Sequence, residues 1–202
     1  MPWKMSRVEW GSVLLLSMSL GIVMWQVELP LLMHQHPDWD TKIEPYRYAL
    51  HVHAFFGMMA LLVAPFQFIS EFRQHSPRLH RYLGRTYVAS ILISAPIAIY
   101  IASTHLQNEE RLAVIAQALL WMSTTCFALY YAIKRHWTAH KIWIARSYAL
   151  CLSFVLSRLA TDVLHYSFSP QSGGNAAMVW LMSLLLICLA DVWSCQIQHR
   201  TN

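Results

Sequence analysis

The chain has 202 residues, 56% of them hydrophobic and only 12% charged, with a formal net charge of +5. Soluble chains devote about a quarter of their residues to charge, so this one could not cover its surface in water, and a bilayer is the solvent that fits. Its basic residues fall in short clusters between apolar runs instead of along one face, which argues against nucleic acid and for membrane orientation signals.

Crossing a bilayer takes about twenty apolar residues, each adding about 1.5 Å of rise. Six runs meet that length, at about 11–33, 48–69, 84–103, 112–133, 142–164 and 177–196. Lys4 and Arg7 precede the first run, which exceeds the apolar core of a secretory signal and has no small-x-small cleavage site after it. It is therefore expected to remain as a first helix. Lipid offers no partner to backbone polar groups, and the alternation of a membrane barrel is absent, so the runs read as helices. Pro65 and Pro96 fall inside the second and third, where kinks can open space for a ligand.

The connections set the orientation. Arg73, Arg78, Arg81 and Arg85 lie between the second and third runs, Lys134, Arg135 and Lys141 between the fourth and fifth, and Arg200 after the sixth. The alternate connections mix Lys42, Arg47 and Arg111 with Asp38, Asp40, Glu44, Glu109 and Glu110. Positive charge marks the cytoplasmic side. The expected architecture is one all-α, polytopic membrane bundle of about six helices over residues 1–202, with both termini in the cytoplasm. The four cysteines, at 126, 151, 188 and 195, lie in apolar runs without a C-x-x-C pair and read as small buried thiols.

Eleven histidines are many for so apolar a chain. His51 and His53 are two apart at the start of the second run, so at most one faces the interior, and Gly57 leaves a gap one turn deeper on the His53 face. His80 opens the third helix behind Ser76-Pro77, a cap followed by a proline in the first turn. His136 and His140 open the fifth, one turn apart. The third and fifth helices start at the same membrane face, so His80 and His140 can sit at one depth, as two ligands on one metal require. Interfacial anchoring would give the same pattern. Glu28, Arg158 and Asp162 lie deep in the outer halves of apolar runs, and Arg146 and Asp191 nearer the cytoplasmic side. Charges in lipid have to be paired, so these five form an expected interior charge network.

The runs HVHAFFGMMALLVAPFQF, SPRLHRYLGRTYV and TAHKIWIARSYAL resemble a bacterial family of membrane proteins, domain of unknown function twenty-three-oh-six, over about residues 50–160. The elements HR-x-LGR-x-Y and AH-x-x-W-x-x-RSYAL carry the resemblance. Ala64 stands where the family has the glycine of GPFQF. The resemblance implies a small multi-pass protein of the bacterial inner membrane. It maps the family's polar positions onto His53, Gln67, His80, Arg81, Arg85, His140, Arg146 and Arg158.

Three functions follow from these residues. The first is a haem-b membrane cytochrome in electron transfer, broadly similar to those of the b561 type. Imidazoles would bind the iron at His80 and His140, with His53 part of a second, outer site, and Arg81, Arg85 and Arg146 would meet the propionates. His140 and His165 are twenty-five residues apart, about 37 Å on a continuous helix, so both cannot serve haems inside the hydrocarbon. The second is a non-haem site for a divalent metal or a quinone, with a redox partner. The third is a transporter or accessory subunit without chemistry. No nucleotide-binding loop or serine nucleophile motif is present.

Overall fold

The computed structural model describes residues 18, 21–33, 40, 43–68, 75–106, 108–165 and 174–201. A π-helical turn, Met24–Glu28, continues as the short helix α1, Leu29–Leu32. A 3-10 turn, Glu44–Tyr46, leads into α2, Arg47–Phe68. Then come α3, Pro77–His105; α4, Asn108–Ile133; α5, Trp137–Arg158, which runs on into a π-helical turn Leu159–Val163; and α6, Gly174–Thr201. Among the described residues there is no strand. Among the described residues five stretches are long and apolar enough to cross a membrane: Glu44–Phe68, Pro77–His105, Asn108–Ile133, Trp137–Thr161 and Ala176–Cys195. Most of the first half of the expected span 11–33 lies outside the described residues.

The helices begin earlier than the apolar runs, because helix geometry does not stop where hydrocarbon does. Pro77 takes the first turn of α3, where its missing N–H leaves nothing unsatisfied, and Ser76 precedes it as the N-cap residue. α4 ends in a Schellman-type turn: Arg135 has φ 58°, and His136 N–H reaches back to Tyr131 O at 2.9 Å. That turn reverses the chain within a few residues and sets α4 antiparallel to α5. Pro65 and Pro96 are both tolerated inside helices.

Packing follows the rule for lipid, not water. The interior is built from small side chains: Ala60, Ala95, Ala102, Ser94 and Ser147 are wholly buried, while Leu184 and Leu189 are 61% and 54% exposed. Small residues let backbones approach closely, and large apolar ones face outward because acyl chains solvate them. The expectation that all four cysteines are buried is corrected here. Cys151 is buried, but Cys126, Cys188 and Cys195 are exposed on the apolar outer surface. An apolar run in lipid has two apolar faces, so hydrophobic surroundings in sequence do not imply burial.

α2 packs on α3, α3 on α4, α4 on α5 and α5 on α6, each pair antiparallel. Buried hydroxyls tie them together. Tyr87 Oη is 2.8 Å from Ser147 Oγ, and Ser147 Oγ is 2.7 Å from Thr125 Oγ1, which donates to Trp121 O. The backbones of α3 and α5 come close at few points, and the Tyr87 phenol crosses the bundle interior to join them.

Candidate functional site

His53 lies in the second turn of α2, opposite Ser94 of α3. Its Nδ1 is 3.0 Å from Ser94 O and 2.9 Å from Ser94 Oγ, and Ser94 Oγ donates to His53 O at 3.1 Å. A carbonyl can only accept, so Nδ1 bears the proton, and Nε2 of the neutral ring is left with the lone pair. Phe154 of α5 meets the imidazole edge-on, with centroids 6.2 Å apart. The Arg158 guanidinium carbon sits 5.5 Å from the same Phe154 centroid, within cation–π range.

These groups line a cavity of about 230 Å³ between the helices. Its polar side chains are His53, Gln117 and Arg158, and its aromatic walls are Tyr46, Trp121 and Phe154. Gln117 Nε2 donates to Ser153 Oγ at 2.7 Å, which fixes the amide plane. Gly57 also lines the space, one turn from His53. The two π-helical turns, Met24–Glu28 and Leu159–Val163, pack on each other beside the cavity. Such bulges widen a helix locally and recur at functional sites. A second depression, of about 410 Å³, is an open groove on the outer face between Tyr48, Ala49, Val52, Pro96, Ile97 and Tyr100. It offers little polar convergence and suits an acyl chain of the surrounding lipid.

The remaining sequence-derived residues fall at the other end of the bundle or elsewhere. His80 is half-buried in the first turn of α3, and Arg81 and Arg85 beside it are exposed. His140 is half-buried in the first turn of α5, with its Nδ1–H donating to Ala128 O at 2.8 Å. Arg146 engages Asp191 through two bonds, Nε to Oδ1 at 2.7 Å and an Nη to Oδ2 at 3.1 Å, and lies 4.7 Å over the Trp143 ring. The side chains of Glu28 and Asp162 lie outside the described residues, so the proposed partners of Arg158 do too. Among the described residues no three His, Cys, Asp or Glu side chains gather as a metal site. The structure thus brings together His53 and Arg158, and separately Arg146 and Asp191, while His53 is remote in the fold from His80 and His140.

Gln67, near the end of α2, sets its Oε1 against Gly84 of α3, where an added Cβ would come within 3.1 Å of it. Its Nε2 is buried and, among the described residues, has no hydrogen-bond partner. Leaving such a donor unsatisfied costs roughly 1–3 kcal/mol.

Ser94, Gln117, Trp121 and Phe154 were not singled out from the sequence. One signal was available for Gln117: an amide in the middle of an apolar run is expensive in lipid and so faces inward. Trp121 and Phe154 carried no such mark, since aromatic residues are as common on lipid-facing surfaces.

No curated protein and no solved structure matches the chain. The family model described as "Predicted membrane protein (DUF2306)" matches residues 50–194, which takes in α2 almost entirely, α3, α4, α5 and most of α6. With apolar, membrane-length helices throughout that region, the chain belongs to this family of multi-pass integral membrane proteins.

Proposed function

We propose that this protein is a redox component of the bacterial inner membrane that binds the ring of a quinone-class molecule in the cavity between His53, Gln117 and Arg158. The observation that carries the reading is the His53 clamp. Ser94 holds the ring through Nδ1 and leaves Nε2 as a fixed acceptor at a cavity wall. A quinol hydroxyl can donate to that nitrogen, and a quinone carbonyl can accept from the Arg158 guanidinium. Flat aromatic walls suit a flat ring. Ligand pockets for drug-sized molecules run to roughly 300–1,000 Å³. A cavity of about 230 Å³ therefore fits a single substituted ring, with its tail left to the lipid.

The haem-b form of an electron-transfer role is not supported by this cavity. A haem held by two axial imidazoles needs a second histidine facing the first, and among the described residues that line the cavity His53 is the one imidazole.

Tryptophan fluorescence tests the proposal, because Trp121 lines the cavity. A short-tailed benzoquinone should quench the detergent-solubilised wild type saturably, with weaker apparent affinity in His53→Ala and a smaller amplitude in Trp121→Phe. Non-saturable quenching of equal slope in all three proteins would mean partitioning into the micelle and no site.

A further inference from the structure

We infer that His80 and His140 form a second, independent site at the opposite end of the bundle, a pair of imidazoles facing each other across the interior to hold a metal centre, and specifically a haem iron. α3 and α5 run parallel and in step. Tyr87 meets Ser147, an offset of 60 residues. Two turns further along, Ser94 and Phe154 keep the same offset, and both touch His53. Two turns in the other direction the same register reaches His80 and His140. Residues seven apart share a helix face, so each histidine occupies the interior face that Tyr87 and Ser147 define. Few residues of α3 and α5 bring their backbones close to each other, so contact between the two helices is made by side chains.

Three further features favour a ligand there. The Nδ1–H of His140 is tied to Ala128 O at 2.8 Å, which leaves Nε2 as the lone-pair nitrogen and fixes the ring, the outer-shell arrangement usual for metal-binding histidines. Gln67 brings a buried Nε2 without a partner among the described residues to Gly84, one turn from His80. It can donate to an acceptor on a bound molecule. Arg81 and Arg85 are exposed at the same end, where they could meet carboxylates at the membrane surface.

The two kinds of metal centre ask for different numbers of protein ligands. Structural and catalytic zinc sites take three or four protein ligands. Among the described residues no group of three candidate ligands exists, and Asp191 is already paired with Arg146. Haem iron needs only two axial ligands, because the porphyrin supplies the rest.

The full chain, purified in detergent after growth with haem supplied, is the material for the test, with optical spectra and metal analysis as readouts. Wild type should show a Soret band that shifts on dithionite reduction and about one iron per chain, the ratio that one bis-imidazole haem requires. His80→Gly and His140→Gly should each lose the band, and added imidazole should restore it, a rescue that a merely structural histidine would not give. His136→Ala and His105→Ala should keep it. Metal retained without a Soret band in wild type, and lost in both glycine variants, would support the imidazole pair but overturn haem in favour of a bare ion. A wild type that takes up neither haem nor added zinc or cobalt overturns the site, as does equal cofactor content in every variant. Quinone quenching measured on the same samples reads the His53 cavity separately, so either site can fail without the other.

Discussion

Tyr87 and Ser147 share a 2.8 Å hydrogen bond across the bundle interior, although the backbones of the helices that carry them come close at few points. The proton order along this chain is constrained. Thr125 donates to Trp121 O, so Ser147 donates to Thr125 and Tyr87 donates to Ser147. Every hydroxyl is then satisfied, and the chain ends on a peptide carbonyl. It is a structural tie between α3, α4 and α5 and sets the register on which both sites depend.

Breaking the tie should cost stability in two measurable steps. Tyr87→Phe removes one buried hydrogen bond and should lower unfolding stability in detergent by about 1–2 kcal/mol. Tyr87→Ala adds a cavity and should cost about 3–5 kcal/mol. Equal thermal midpoints for wild type and both variants would show that the interior at this level is loose.

At the other end of the register, two neighbouring substitutions should behave oppositely. Ser94→Ala removes the hydroxyl that bridges His53 Nδ1 and His53 O, and should cost about 1 kcal/mol of stability together with weaker quinone binding. Gly57→Ala adds a methyl 3.6 Å from Ser94 Oγ, an ordinary contact, at a residue that lines the cavity. Stability should hold or rise by up to about 1 kcal/mol, since alanine favours helix over glycine, while binding weakens. Parallel titrations and melts on the two variants check this. Unchanged binding in Gly57→Ala would mean that the ligand does not enter the cavity.

Much of this architecture was legible in the sequence, and the reason is energetic. A span in lipid must be apolar along about twenty consecutive residues, which no local propensity can disguise, so α2 to α6 appear as runs. The site was legible only in part. His53 and Arg158 stood out because a polar group in an apolar run is costly, and Gly57 marked the gap beside His53. Their meeting at Phe154 depends on the relative rotation of α2 and α5, which alternating apolar faces do not encode when both faces are apolar. The same lack of contrast explains the cysteines: Cys126 and Cys151 sit in equally hydrophobic runs, yet one faces out and one faces in.

The Arg146–Asp191 pair lies where α5 and α6 approach one end of the bundle, with side chains 28% and 40% exposed. Both residues lie within membrane-length apolar helices, so each charge relies on the other for its pairing. Removing one partner leaves the other charge facing apolar surroundings. Arg146→Leu and Asp191→Leu should therefore each destabilise more than the double variant does. A double-mutant cycle by thermal unfolding measures the coupling, and strictly additive losses would show that the contact carries no energy.

Loop charge makes a separate statement about orientation. Fusions of a reporter at Asn108 and Gly173 should report the periplasm, and fusions at Gln74 and after Asn202 the cytoplasm. An inverted signal at any of the four points would break the assignment of basic loops to the inner face.

The central claim, that a quinone ring occupies the cavity beside His53, is tested most directly by photolabelling. An azido-quinone activated in native membranes, followed by peptide mapping, should place the label on α2 between Leu50 and Leu61 and on α5 between Leu150 and Arg158, the stretches that line the cavity. An excess of unlabelled quinone should suppress it, and His53→Ala should reduce it. Label distributed over lipid-facing residues such as Leu184 and Leu189, unaffected by competitor or by the substitution, would contradict the account.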